Sequence, residues 1–158
     1  MDIKLTTVSD VRRMSGFSLY QTLDQIGLCP DVAAWVHEAE ADCWWYMIAT
    51  PLIDTKGPRW VYDLLMSALR KVEFPPEISP LDIHIYSPNE VHISKLIRCV
   101  PFAGTANPDH VVMSHMDGVD FGDWSLDAIV AYRVGRQKGF AEEKARKFYK
   151  HVEKLLAA

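Results

Sequence analysis

The 158 residues include only three cysteines, Cys29, Cys43 and Cys99, and no two of them form a Cys-x-x-Cys pair. That excludes zinc knuckles and thioredoxin-like redox pairs, and leaves free thiols of the kind usually found buried. Glycine is also scarce, at eight residues, and forms neither Gly-x-x-x-x-Gly-Lys nor Gly-x-Gly-x-x-Gly, so no nucleotide-binding fingerprint is present. Gly-x-Ser-x-Gly, His-x-His and His-Glu-x-x-His are missing too, which leaves no nucleophile elbow and no compact zinc motif. No cofactor and no tightly bound transition metal are expected. No apolar run approaches the length of about 18 residues that reads as a membrane-spanning helix. Met1-Asp2-Ile3-Lys4-Leu5 lacks the charged-then-apolar layout of a secretory signal, so a soluble, cytoplasmic protein is expected.

What the chain does hold is core material. Hydrophobic residues make up 49% of it, and five Trp, six Tyr and six Phe argue against disorder. No repeat, low-complexity tract or Gly/Ser linker divides it, and Phe74-Pro75-Pro76-Glu77-Ile78-Ser79-Pro80 is too short a connector to separate two cores. The expectation is a single domain over 1–158, with a helical N-terminal part at 8–40 and a mixed sheet with helices at 43–158. The net charge of −4 is unevenly spread: residues 29–55 carry −5, residues 77–132 carry −6, and residues 133–158 carry +5. Overall acidity argues against general nucleic-acid coating, while the basic C-terminal stretch reads as a solvated amphipathic helix or an anion-facing patch.

Apolar spacing and start signals give a coarse order of elements. Ser9 caps a first short helix that Gly16 ends, and Ser18 with Gln21 opens a second, to about Ile26. Asp31 opens a third, with Val32, Trp35, Val36 and Ala39 on one face. Residues 43–49 read as a strand buried on both faces. Pro58 begins a helix to Val72, and Leu81, Ile83 and Ile85 alternate in a one-sided strand. Ser87-Pro88-Asn89-Glu90 is a capping pattern for a helix to Cys99. Residues 110–116 form a strand, Asp117-Gly118 a two-residue hairpin turn, and a return strand begins at Val119 or Ala128. A closing helix starts at Ala141, its apolar face made by Ala145, Phe148, Val152, Leu155 and Leu156, with Glu142–Arg146 and Glu143–Lys147 pairs outside. The fold class is α+β: N-terminal helices, then β-α-β-α-β-β-α with a small mixed sheet of about four strands and two parallel crossovers, closed by a C-terminal amphipathic helix.

Two groups of residues are candidate ligand sites. Lys56, His84, Ser87 and Asn89 fall where parallel strands end and a helix begins, the edge at which open α/β sheets bind ligands and helix N-termini attract anions. His110 and His115, with Asp117, Asp120 and Asp123, are of ligand and acid–base type, although five residues apart on a strand the two histidines point to opposite faces. No residue is nominated as catalytic.

Residues Asp10-Val11-Arg12-Arg13-Met14-Ser15-Gly16-Phe17-Ser18-Leu19-Tyr20-Gln21-Thr22 resemble the helix-turn-helix of lactose-repressor-type regulators. The resemblance implies a DNA-reading role, with Arg12 where that family has a small residue. Against it stands the reading that the missing motifs favour: a non-catalytic binding or interaction protein. An aromatic strand at 43–49, apolar on both faces, is expected to need more cover than short N-terminal helices provide, which points to a homodimer with Trp44 or Trp45 at the seam. The remaining alternative is a small enzyme or anionic-ligand-binding protein using the strand-end pocket.

Overall fold

A computed structural model describes residues 8–116, 121 and 124–158. Its elements are α1 (Asp10–Gln25), β1 (Val32–Glu38), β2 (Cys43–Ala49), α2 (Leu52–Lys56), α3 (Pro58–Val72), β3 (Ile83–Tyr86), α4 (Val91–Cys99), β4 (Val112–His115), β5 (Leu126–Val134) and α5 (Ala141–Ala157). The fold is α+β. A five-stranded mixed sheet runs in the order β3-β2-β1-β5-β4, with β2 and β3 parallel and the other neighbours antiparallel.

Strand β1 sits at the centre, and this overturns the third N-terminal helix. Val32 to His37 are all buried, because the strand is covered on both faces. A strand with no wet face loses its alternation, and Val32, Trp35 and Val36 then mimic helical spacing. The two crossovers reduce to one. The chain passes from β2 through α3 into β3 as expected. After α4, however, it crosses to the opposite edge, where β4 pairs antiparallel with β5.

The first two N-terminal helices are one. Helix α1 starts at Ser9, whose hydroxyl accepts from Arg12 N as its cap, and continues through Gly16 to Gln25. Gly16 does not end the helix; it lets the helix come close to the sheet. A Cβ built on it would stand 2.5 Å from the Trp35 Nε1 and 2.8 Å from Tyr132 Cζ. Around that contact three ring polar groups, each from a different strand, donate to α1 carbonyls: Trp35 to Arg12 at 2.9 Å, Tyr132 to Arg13 at 2.6 Å and Tyr46 to Gly16 at 2.9 Å. A carbonyl has two lone pairs, so each can accept this bond beside its helical one. With α1 unbroken, and Leu19, Tyr20 and Leu23 packed into the core, the turn of a helix-turn-helix does not form.

Both sheet faces are covered by the chain's own elements. On one lie α1, α3 and α5, over Ala33, Trp35, Tyr46, Ile48, Val130 and Tyr132. On the other, α4 contributes Ile93 and Leu96, together with Met116, Phe121 and Leu126, over Val36, Trp45, Met47 and Ile129. The uncovered face behind the homodimer expectation is therefore filled, and Trp45 is 7% exposed in its own core. Helix α5 buries Ala145, Phe148 and Val152 as expected, but Leu156 is 47% exposed, and of the two surface pairs only Glu143–Lys147 forms, at 3.6 Å.

Gly16→Ala should lower stability by about 3 kcal/mol, the upper end of overpacking costs, because backbone carbonyls on one side and ring hydrogen bonds on the other resist retreat. For a chain of this length that corresponds to a fall of roughly 6–12 °C in the thermal midpoint. A midpoint within a degree of the unsubstituted chain's would show that the contact yields freely.

Candidate functional site

The residues nominated at the strand ends divide into two groups that face different ways. The first gathers on Asp54. Its Oδ2 accepts from Ser87 Oγ at 2.7 Å and from Asn89 Nδ2 at 2.8 Å. Asn89 Oδ1 in turn accepts from Arg136 at 3.1 Å, and Arg136 also donates to the Pro88 carbonyl at 3.2 Å. The Ser87-Pro88-Asn89-Glu90 pattern closes as a turn just before α4: Glu90 accepts from Ser87 N and Ser87 Oγ accepts from Asn89 N, both at 3.1 Å. The regular helix begins at Val91. An anion site at a helix N-terminus depends on free donors. Here the donors that precede α4, on Ser87 and Asn89, are taken by the chain's own carboxylates, Asp54 and Glu90.

Lys56, two residues beyond Asp54, turns the other way. Helix α2 occupies a stretch expected as loop, and Gly57 at φ 86° reverses the backbone between α2 and α3, in a conformation that an L side chain rarely adopts. Lys56 Nζ thereby lies over the half-buried Trp60 indole, 5.8 Å from its centroid. Trp60 rests edge-on against Phe148 of α5, at 6.1 Å between centroids. The opening between these elements is a cleft of about 370 Å³ lined by Lys56, Trp60, Ala145, Arg146, Tyr149, Lys150 and Glu153. Arg146, Tyr149, Lys150 and Glu153 share one face of α5, spaced three, four and seven residues apart. Lys56, Arg146 and Lys150 make no ion pair and no hydrogen bond among the described residues. The Glu153 carboxylate, four residues on, raises the pKa of the exposed Tyr149 phenol.

His84 joins neither group. It stacks on Trp45 at 4.8 Å in a ring array on the α4 side, where Trp124 stacks on His92 at 4.5 Å and meets Tyr86 edge-on at 5.1 Å. Burial and the charges of Glu90 and Glu38 push the Tyr86 phenol up to about 12. The rings pack against one another, and His84 itself is exposed. His110 lies exposed in a turn before β4 and His115 exposed at its end, while Asp117, Gly118, Asp120 and Asp123 fall outside the described residues. Trp44 is half-buried beside His37, at 5.1 Å.

His37 is the feature that sequence reasoning passed over. Its side chain is 5% exposed, with Nδ1 2.7 Å from Asp127 and Nε2 2.9 Å from Asp42. Both nitrogens face carboxylates, so neither is free to take a proton from a substrate. The neighbouring Ser125 hydroxyl donates to Glu38 at 2.9 Å, not to the imidazole. The arrangement pins the β1–β2 turn to β5 and has no catalytic geometry. Among the described residues no three His, Cys, Asp or Glu side chains stand close enough to hold a metal ion, and no helix is long and apolar enough to cross a membrane. Compared with protein-family models, curated proteins and solved structures, the chain matches none.

A buried acid has a consequence for stability. Asp31, 3% exposed, accepts from Gln137 N at 3.0 Å. Burial raises its pKa above the ordinary value, against that hydrogen bond and the charges of Lys144, Arg136 and Arg133. A raised folded-state pKa means that its favourable contribution is complete below the unfolded value of about 3.9 and is lost as pH rises through the folded one. At neutral pH the ionised carboxylate weakens the fold. Asp31→Asn keeps the acceptor and removes the charge, so it should be more stable than the unsubstituted chain in urea at pH 7. The advantage should vanish towards pH 3. A variant less stable at pH 7 would show that the cations around Asp31 outweigh its burial.

Proposed function

We propose that this chain is a non-catalytic binding protein and that it holds a small organic anion in the cleft between α2–α3 and α5. One observation carries the reading: three cations that form no ion pair among the described residues, Lys56, Arg146 and Lys150, line one cleft with a half-buried indole, and its volume lies within the range of small-ligand sites. Like charges held together repel, and an anion removes that repulsion while making charge-assisted hydrogen bonds. Trp60 and Ala145 supply an apolar wall for the rest of the molecule. At the strand ends Asp54 and Glu90 take the Ser87 and Asn89 donors, and both His37 nitrogens face carboxylates, which speaks for binding without chemistry.

Benzoate is a suitable probe, small and singly charged with one ring. It should quench tryptophan fluorescence, and the quench should be lost in Trp60→Phe. Lys56→Met should weaken binding roughly tenfold, the share of about one charge-assisted hydrogen bond, and added salt should weaken it further. No response at millimolar concentration to benzoate or to a doubly charged aromatic anion would remove the reading.

Self-association is a second reading, now resting on an edge and no longer on a sheet face. β4 ends the sheet order, carries no Lys, Arg, Asp or Glu, and leaves Met113 65% exposed. Edge strands usually carry charge or proline that blocks pairing with another chain. Light scattering should give a mass above that of one chain at high concentration, returning to monomer in Met113→Lys. A monomer at every concentration would dismiss it.

A further inference from the structure

The cleft's charge and shape narrow the class of anion. We infer that its ligand is a phosphomonoester borne on a planar ring system, an inference that rests on the small-anion reading above. Three cations and one carboxylate line the cleft, a local charge of +2. A carboxylate or phosphodiester would leave that charge half neutralised, whereas a phosphomonoester carries about −1.5 to −2 at neutral pH and offers three acceptor oxygens.

The two sides of the cleft divide the work. Arg146 and Lys150 stand four residues apart on one face of α5, and Lys56 reaches in from α2. Together they offer a planar fork and two ammonium groups, which suits a tetrahedral group with several oxygens. Trp60 is the apolar counterpart. Phe148 meets it edge-on, 6.1 Å between centroids, and the Lys56 ammonium lies over its ring, 5.8 Å from the centroid. A ligand ring lying against Trp60 would take the place of that ammonium over the indole, and Lys56 would turn to the ring's charged substituent. Tyr149, 44% exposed, provides a second ring at the rim. Neither part alone explains the site: inorganic phosphate would leave the indole uncovered, and an uncharged ring would leave three cations unmatched.

Adenosine 5′-monophosphate, adenosine, inorganic phosphate, cyclic adenosine 3′,5′-monophosphate and benzoate separate these contributions by calorimetry and tryptophan fluorescence on the full chain. The 5′-monophosphate should bind at least tenfold more tightly than adenosine, phosphate or the singly charged cyclic ester. Lys150→Met, an exposed substitution that should fold normally, should bring the 5′-monophosphate down to the level of the cyclic ester. Trp60→Leu should reduce it to the level of phosphate, and circular dichroism would show whether that variant is folded. If benzoate binds and the 5′-monophosphate binds no more tightly, the phosphomonoester assignment fails while the small-anion reading stands. If phosphate matches the 5′-monophosphate, the ring's part fails. If neither benzoate nor the 5′-monophosphate binds, both readings fall together.

Discussion

Three hydrogen bonds from aromatic side chains to one stretch of helix backbone are the constraint on which the rest of this fold is arranged. Trp35, Tyr132 and Tyr46 belong to β1, β5 and β2, the three central strands, and they reach carbonyls within a single run from Arg12 to Gly16. Each ring is nearly or wholly buried, and each would carry a desolvated N–H or O–H without that carbonyl. The helix therefore cannot slide or rotate on the sheet without orphaning several polar groups at once. Burial also raises the pKa of Tyr46 and Tyr132, so both remain neutral donors across the physiological range.

That fixed helix sets what the others can do. With α1 seated over β1 and β5, helices α3 and α5 pack over the remaining part of the same face, Trp60 against Phe148. Their contact brings the basic face of α5 against the α2–α3 junction, and the cleft is the gap that their side chains leave. Gly57 holds the junction at a backbone angle suited to glycine, which turns Lys56 away from the strand ends towards the indole. The cleft is thus a product of how helices pack on one face. It does not follow the general tendency of α/β sheets to bind ligands at strand ends.

Electrostatics separates the two sites the same way. At the strand ends the side-chain donors meet acceptors from the chain: Ser87 and Asn89 meet Asp54, and Arg136 meets Asn89 and Pro88. In the cleft the cations outnumber the acids and, among the described residues, form no ion pair with them. A satisfied network stiffens a fold, whereas unsatisfied like charges are a standing cost that a ligand can offset.

The sequence by itself determined the α+β class, the Ser9 cap, the long helix after Pro58, the crossover into β3 and the amphipathic C-terminal helix. Each of these rests on local signals, such as a capping hydroxyl, a proline at a first turn or a 3.6-residue apolar stripe. It also held the spacing of Arg146, Tyr149, Lys150 and Glu153 on one helix face, without showing what that face meets. Tertiary structure decided the rest. β1 is a strand because two layers cover it, and Gly16 is helical because Trp35 and Tyr132 come close to it. Lys56 parts from Ser87 and Asn89 because a two-helix turn, not a loop, follows β2. His37 becomes a latch because strand pairing carries Asp127 to it from 90 residues away. Such contacts join residues distant in the chain, and no local pattern records them.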